Sequence, residues 1–478
     1  MKKFTTLALL LTFAIANSSQ AEKPNIVLLF ADDLGYGDVH CNNPEGKILT
    51  PHIDRLAREG VRFTDAHAAG TLCVQSRYGL MTGRSPLREN YRQIDASRLT
   101  LPALLQKNGY TTAMVGKWHL DFPETKRPQG TRPRESKYWD AELLGGPCDR
   151  GFDSFFGMHA SLDIPPYFYI RDRKAVALPT EKIDAKNSPA ASGWNNIQGE
   201  FWRAGGIAPD LNLAEVMPTF TREAVQVIEK LAPASKKGKP FFLYYAFTSP
   251  HTPWLPTKEF VGKSDVPLYG DFVAQTDATV GKILDALEKQ GVAENTLVLF
   301  SSDNGPVWYP KDCEKYGHSA TAQFSGMKAD AWEGGHRMPF VARWLGKIKP
   351  GSVCDETLCL TDLLQTFAAL VGDEIPKGTT ADSWNMLPAL LGEKHAKPIR
   401  PYMIVKTSLR QGDWKYISHG GPGGFSKAQF RKNPDKATGQ LYNLRTDPGE
   451  KNNLWKQEPE RLATMKKLHK KVLGPSSK

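Results

Sequence analysis

In the stretch Asn25-Ile26-Val27-Leu28-Leu29-Phe30, Asn25 opens an apolar run that gives way, just past Ala31, to Asp32-Asp33. A run of this length, bounded by paired acids, reads as a short strand whose carboxyl end leaves the core. The same form recurs along the chain. Thr111-Thr-Ala-Met-Val115 runs into Gly116-Lys117-Trp118-His119, Phe241-Phe-Leu-Tyr-Tyr-Ala246 into Ser249-Pro250-His251, and Thr296-Leu-Val-Leu-Phe300 into Asp303-Asn304-Gly305. A further strand is expected near Phe340-Val-Ala-Arg-Trp344.

Helical patterns separate these strands. One covers about Pro51 to Glu59, with Thr50 as N-cap, Pro51 at the first position and Gly60 as terminator. Others cover about Leu101 to Lys107, Thr221 to Leu231, Asp271 to Lys289 and Asp362 to Leu370. Strands alternating with helices predict an α/β fold with a mostly parallel central sheet flanked by helices. The region from Leu120 to Asn212 is rich in Pro, Gly, aromatics and charge. It reads as an irregular rim of the kind that carries substrate contacts. From about Lys397 the pattern becomes short mixed strands, such as Trp414-Lys-Tyr-Ile417, with a turn at Asp447-Pro-Gly449 and a helix from about Pro459. The expected organisation is a catalytic domain over residues 22–385 and a smaller C-terminal α+β subdomain, containing an antiparallel sheet, over 386–478.

Bulk properties fit this plan. A chain of 478 residues is too long for one compact core, and 40% hydrophobic with 24% charged residues is ordinary for a folded protein. Residues 1–21 have the form of an export signal: Lys2 and Lys3, an apolar run from Phe4 to Ala16, then the small-residue site Ser19-Gln20-Ala21. The apolar run is too short to span ~30 Å of hydrocarbon, so membrane insertion is not expected and a periplasmic or secreted protein is. Setting Cys73 aside leaves Cys41, Cys148, Cys313, Cys354 and Cys359, an odd number, of which Cys354 and Cys359 are near enough in sequence to pair. The formal net charge of +11 favours an anionic substrate. No nucleic-acid motif accompanies it, and Lys466 to Lys471 reads as a solvated helix face.

In open α/β sheets, ligands bind beyond the carboxyl ends of the strands, so the four polar clusters should converge. Asp32, Asp33, Asp303 and Asn304 are hard oxygen donors, suited to calcium or magnesium rather than zinc, and a divalent cation would relieve the repulsion between adjacent carboxylates. Cys73 alone reads as a buried small hydrophobe; with Arg77 one helical turn later it could open a helix that faces an anion.

The segment Leu72-Cys73-Val74-Gln75-Ser76-Arg77-Tyr78-Gly79-Leu80-Met81-Thr82-Gly83-Arg84 resembles the signature of the formylglycine-dependent sulfatases, of alkaline-phosphatase-like fold. That signature has Cys, any residue, Pro or Ala, Ser and Arg, closing on Thr-Gly. The resemblance runs from Pro24 through Asp33 to Leu441-Tyr-Asn-Leu-Arg-Thr-Asp-Pro-Gly-Glu450, and departs at Gln75, where the family has Pro or Ala. It implies a sulfatase in which Cys73 is oxidised to formylglycine (3-oxoalanine) by a formylglycine-generating or anaerobic sulfatase-maturing enzyme. One hydroxyl of the hydrated aldehyde attacks sulfur, the substrate alcohol leaves, and loss of the second hydroxyl's proton expels sulfate. By the same resemblance, Ca2+ is bound by Asp32, Asp33, Asp303, Asn304 and the converted Cys73. Arg77 orients the diol, Lys117 and Lys328 hold sulfate oxygens, His119 takes the second proton and His251 protonates the leaving oxygen.

The segments His159–Ile170 and Gly326–Arg337 look like those of sulfatases acting on galactose or N-acetylgalactosamine 6-sulfates. A sulfated saccharide is therefore the expected substrate, with Asp163, Tyr167, His318 and Arg337 as rim contacts. Two other readings are a phosphate or phosphonate ester hydrolase of the same superfold and, if Cys73 is not converted, a non-catalytic binder of sulfated polysaccharide.

Overall fold

A computed structural model describes residues 23–126, 139–189, 193–376, 378–393, 396–426 and 437–473. Residues 1–21, expected to be an export signal, lie outside the described residues. Five parallel strands form the centre: β1 (Asn25–Asp32), β2 (Thr111–Lys117), β3 (Ser154–Met158), β4 (Phe241–Pro250) and β5 (Thr296–Ser302). Their spatial order is β5-β1-β4-β2-β3 within a ten-stranded sheet. Phe340–Arg343 extends it antiparallel beside β5, followed by Val61–Phe63 and Ser352–Cys354. The central strand β1 is buried along its whole length, as befits a sheet covered on both faces.

Among the helices are α1 (Pro51–Glu59), α2 (Cys73–Thr82), α3 (Leu101–Lys107), α4 (Val216–Ser235), α5 (Tyr269–Lys289), α6 (Leu363–Val371) and α7 (Pro459–Leu473). Helix α5 buries Val273, Val280, Ile283, Leu284 and Leu287 on one side, the stripe its spacing predicts. A separate antiparallel sheet, Met403–Val405, Ser408–Gln411, Trp414–Ile417 and Gln440–Asn443, stands at the C-terminal end with α7 packed on it. Lys466, Lys467, Lys470 and Lys471 lie on the exposed side of α7.

The structure departs from the expectations in three places. The stretch expected to be irregular contains β3, a full member of the parallel sheet. Helix α4 runs further at both ends than the 221–231 pattern indicates. Cys354 and Cys359 are both free thiols, as are the other cysteines.

Candidate active site

The carboxyl ends of β1, β2, β4 and β5 bring their polar residues together, and α2 delivers Cys73 and Arg77 to the same place. Asp32 is the last residue of β1 and Lys117 the last of β2; Lys117 Nζ donates to Asp32 Oδ2 at 2.6 Å. The preceding Gly116 has φ 110°, and a Cβ there would fall 1.8 Å from the Ala246 carbonyl oxygen, so only glycine lets β2 lie against β4 at this point. Asp33 and His119 both take left-handed backbone, with φ 62° and 67°. Strain of this kind in non-glycine residues concentrates where side chains are aimed for a purpose.

Cys73 is the first residue of α2, with Leu72 extended before it. The loop ahead is braced by the helix's own side chains: Ser76 Oγ exchanges hydrogen bonds with Gly70 N and O at 3.2 Å, and Gln75 Oε1 accepts from Thr71 N at 3.2 Å. Arg77, fully buried, donates through Nε and Nη2 to Asp303 Oδ2 at 3.1 and 2.8 Å and through Nη1 to the Lys117 carbonyl at 3.0 Å. Lys328 Nζ grips both oxygens of Asp33 at 2.6 and 2.7 Å, and Asn304 Nδ2 donates to Asp33 Oδ1 at 2.7 Å. His251 Nε2 stands 3.6 Å from Asp33 Oδ2, while its Nδ1 lies 2.6 Å from the Thr252 carbonyl.

Two oxygens in this cluster are unsatisfied. Asp32 Oδ1 and Asn304 Oδ1 are buried without a hydrogen-bond partner, a costly arrangement unless a cation completes it. Ligand atoms of Asp32, Cys73 and Asp303 lie within 4.8 Å of one another, as do those of Asp32, Asp33 and His251. The donors are mostly carboxylate and amide oxygen, the chemistry of a hard divalent ion. The residues present therefore fit a metal.

Burial sets the protonation states. It pushes the Cys73 thiol up, against the pull of Lys117 and Lys328. Burial, reinforced by the charges of Lys117, Arg77 and Lys328, drives His119 well below its ordinary value, which favours the neutral ring. Although burial opposes it, the company of Lys117, His251 and Arg77 holds Asp32 below the usual carboxylate range. Burial and the neighbouring Asp32 push Asp303 up.

A cavity of about 220 Å³ opens on the cluster, lined by Asp33, Cys73, His119, His251 and Lys328 on one side. The chain matches the Sulfatase family model over residues 24–373. The chain belongs to the sulfatase family. As a member it is a sulfuric ester hydrolase, and the family works through a formylglycine and a metal ion. The sulfatase is 31% identical to an N-acetylgalactosamine-6-O-sulfatase of Bacteroides thetaiotaomicron, over 95% of this chain and 94% of that one. It is 30% identical to the human N-acetylgalactosamine-6-sulfatase, over 96% and 88%. A solved structure from work on glycosaminoglycan metabolism by Bacteroides thetaiotaomicron superposes with a TM-score of 0.81 at 30% identity, covering 95% of this chain and 100% of that one. Ps i-CgsB in complex with k-i-k-neocarrahexaose superposes with a TM-score of 0.68 at 27% identity, covering 94% and 93%.

Of the expected rim residues, the structure brings only Asp163 to the cavity of this sulfatase. Tyr167 is buried with its hydroxyl donating to the Arg203 carbonyl at 2.8 Å. His318 is buried against Asp38 at 2.8 Å, and Arg337 is buried between Asp65 and Glu333. Each is occupied by an internal partner, and none lines the cavity. Lining residues that the sequence does not single out are Ser161, Ile164, Ile197, Arg203, Thr252, Val307 and Phe425. Only the charge of Arg203 marks any of them as a sequence, and a single arginine in an irregular segment is a weak signal.

Proposed function

We propose that the sulfatase hydrolyses sulfate esters of a saccharide, through a formylglycine made from Cys73 beside one calcium ion held by Asp32, Asp33, Asp303, Asn304 and the converted side chain. The observation that carries this reading is the placement of Cys73 at the first turn of α2, within 4.8 Å of acidic ligand atoms, beside the unpartnered Asp32 Oδ1 and Asn304 Oδ1. When bound, the cation supplies charge for the sulfate oxygens, and the hydrated aldehyde supplies the attacking hydroxyl.

The chain's own side chains do the rest. Arg77, fixed by Asp303 and the Lys117 carbonyl, orients the hydrated side chain at position 73. Lys117 and Lys328 hold sulfate oxygens and stabilise the charge that grows on them as the ester bond breaks. His251 gives a proton to the departing alcohol oxygen. Neutral His119 takes the proton of the second hydroxyl as sulfate is released.

Maturation precedes folding in this account: a formylglycine-generating or anaerobic sulfatase-maturing enzyme reads the segment around Cys73, with Gln75 in place of the family's Pro or Ala. Residues 1–21 would direct export; no helix among the described residues is long and apolar enough to cross a membrane. The names of the relatives favour an N-acetylgalactosamine 6-sulfate.

A panel of defined sulfated saccharides, with aryl sulfate and phosphate ester controls, tests the reading. Sulfate release from a saccharide is expected, abolished by a chelator and restored by calcium. A preference for phosphate esters, or cleavage of aryl sulfates alone, would contradict it.

A further inference from the structure

The cavity that holds the catalytic groups is also lined by polar atoms that no step above uses. Ser161 Oγ and Asp163 Oδ1 are both buried, both belong to lining residues, and neither has a hydrogen-bond partner. An unpaired buried polar atom is costly, so two in one short segment call for something that completes them.

Arg203 explains why Asp163 is left half-satisfied. Its Nη1 donates to the Asp163 carbonyl at 3.0 Å and pairs with Asp163 Oδ2. The guanidinium lies over the Phe201 ring at 5.1 Å, and the Arg203 carbonyl accepts from Tyr167. The clamp consumes Oδ2 and leaves Oδ1 in the cavity, 4.0 Å from His251 Nδ1, whose hydrogen bond goes to Thr252 instead.

A carboxylate oxygen can only accept, whereas a serine hydroxyl can accept or donate. Together they complement a substrate hydroxyl and repel a second anionic group. Ile164, Ile197, Val307 and Phe425 complete the lining with apolar surface suited to the C–H face of a sugar ring.

We propose that Ser161 and Asp163 form a hydroxyl-reading edge that binds a ring hydroxyl of the substrate beside its sulfate ester, with Arg203 as the positioning residue. This rests on the saccharide sulfatase reading above and adds a requirement to it: the substrate must present a hydroxyl donor at that edge.

The test compares kcat/KM for a 6-sulfated N-acetylgalactosamine with its monodeoxy analogues, in the matured enzyme and in Asp163→Ala, Ser161→Ala, Arg203→Gln and Arg203→Lys. One deoxy analogue should cost the unmodified sequence about 10- to 100-fold, the range of a hydrogen bond to a charged group. In Asp163→Ala the same deletion should cost less than about threefold, because the two changes remove one interaction. Arg203→Gln should shrink the penalty and Arg203→Lys should restore part of it, a pattern that loss of packing alone does not produce. Ser161→Ala deletes a single oxygen and gives the readout in a fold that Asp163→Ala could perturb. Equal penalties across all variants, or no penalised analogue, would overturn the inference and leave the saccharide reading standing. Failure of the starting enzyme on every saccharide, with aryl sulfates still cleaved, would overturn both.

Discussion

Two dense clusters of buried charge in the protein invite comparison, and one of them lines a cavity. At the ends of the parallel strands, Asp32, Asp33, Asp303, Lys117, Lys328 and Arg77 crowd together with unpartnered oxygens among them. Between the large sheet and the C-terminal sheet, Asp65, His67, Glu333, His336, Arg337, Arg410, Lys415 and Glu450 form an equally dense nest. There Asp65 meets Arg410 at 2.6 Å and His67 at 2.7 Å, while Lys415 bridges Glu333 and Glu450 at 2.9 and 2.8 Å. His67, Glu333 and His336 even hold their ligand atoms close enough for a metal. Yet Lys415 Nζ sits 3.2 Å from His336 Nε2 as well as beside Glu333, so the chain's own cation fills that position. Residue types alone do not separate a reactive cluster from a structural one; open coordination beside a cavity does.

The largest expected effect separates the clusters outright. Cys73→Ala should lower sulfate release by about 10⁶-fold, the scale seen when a nucleophile is removed. The urea unfolding midpoint should stay close to that of the starting protein. Parallel loss of stability would mean that this cluster also is chiefly structural.

Next come the histidines of the reactive cluster. His119→Gln and His251→Gln should each cost about 10²- to 10⁴-fold in kcat. His251→Gln should be largely spared with an aryl sulfate, whose phenolic oxygen leaves without a proton, and His119→Gln should not. Equal losses on both substrates would remove the division of roles.

In the structural nest the effect moves to folding. Glu333→Gln leaves Arg337 and Lys415 facing each other without their carboxylate. It should cost about 3–5 kcal/mol of stability by urea denaturation, with kcat of the folded enzyme unchanged. Activity lost at unchanged stability would reclassify that cluster as functional.

The smallest effects are pH slopes of opposite sign. Burial, with Arg337 nearby, lowers His67 from 6.5 to about 4. The unfolded chain therefore takes this proton first, and the contribution of His67 is full above pH 6.5 and lost towards pH 4. Burial, with Glu333 nearby, raises Glu450 from 4.5 to about 7. The unfolded chain releases this proton first, so the contribution of Glu450 is full below pH 4.5 and lost as pH climbs to 7. The stability gap between the starting protein and His67→Gln should thus shrink on acidification, by on the order of 3 kcal/mol. The gap to Glu450→Gln should shrink on alkalinisation. Parallel slopes would contradict this picture of the nest.

Much of the reactive cluster was legible because each of its acids or bases follows an apolar run that ends abruptly. Asp32, Lys117, His251 and Asp303 are all announced by the strand before them, and α1 by Thr50, Pro51 and Gly60. Strand β3 was not legible: Ser154-Phe-Phe-Gly-Met158 is short, carries a glycine and sits amid turn-forming residues, so it has little period of its own. Gly157 is needed there because a Cβ would strike the Gly116 carbonyl oxygen at 1.8 Å, a demand set by the neighbouring strand. Arg203 and Arg337 show the limit most clearly. Both lie in irregular segments, where no periodicity says which way a side chain points, and only the fold sends one to the cavity and the other into the nest.

The central claim is that Cys73 is the precursor of the nucleophile, and the mass of its tryptic peptide, Phe63 to Arg77, tests it most directly. In protein purified from its native host, that peptide should carry the aldehyde in place of the thiol. An intact thiol at Cys73, in protein that releases sulfate from its substrate, would contradict the account.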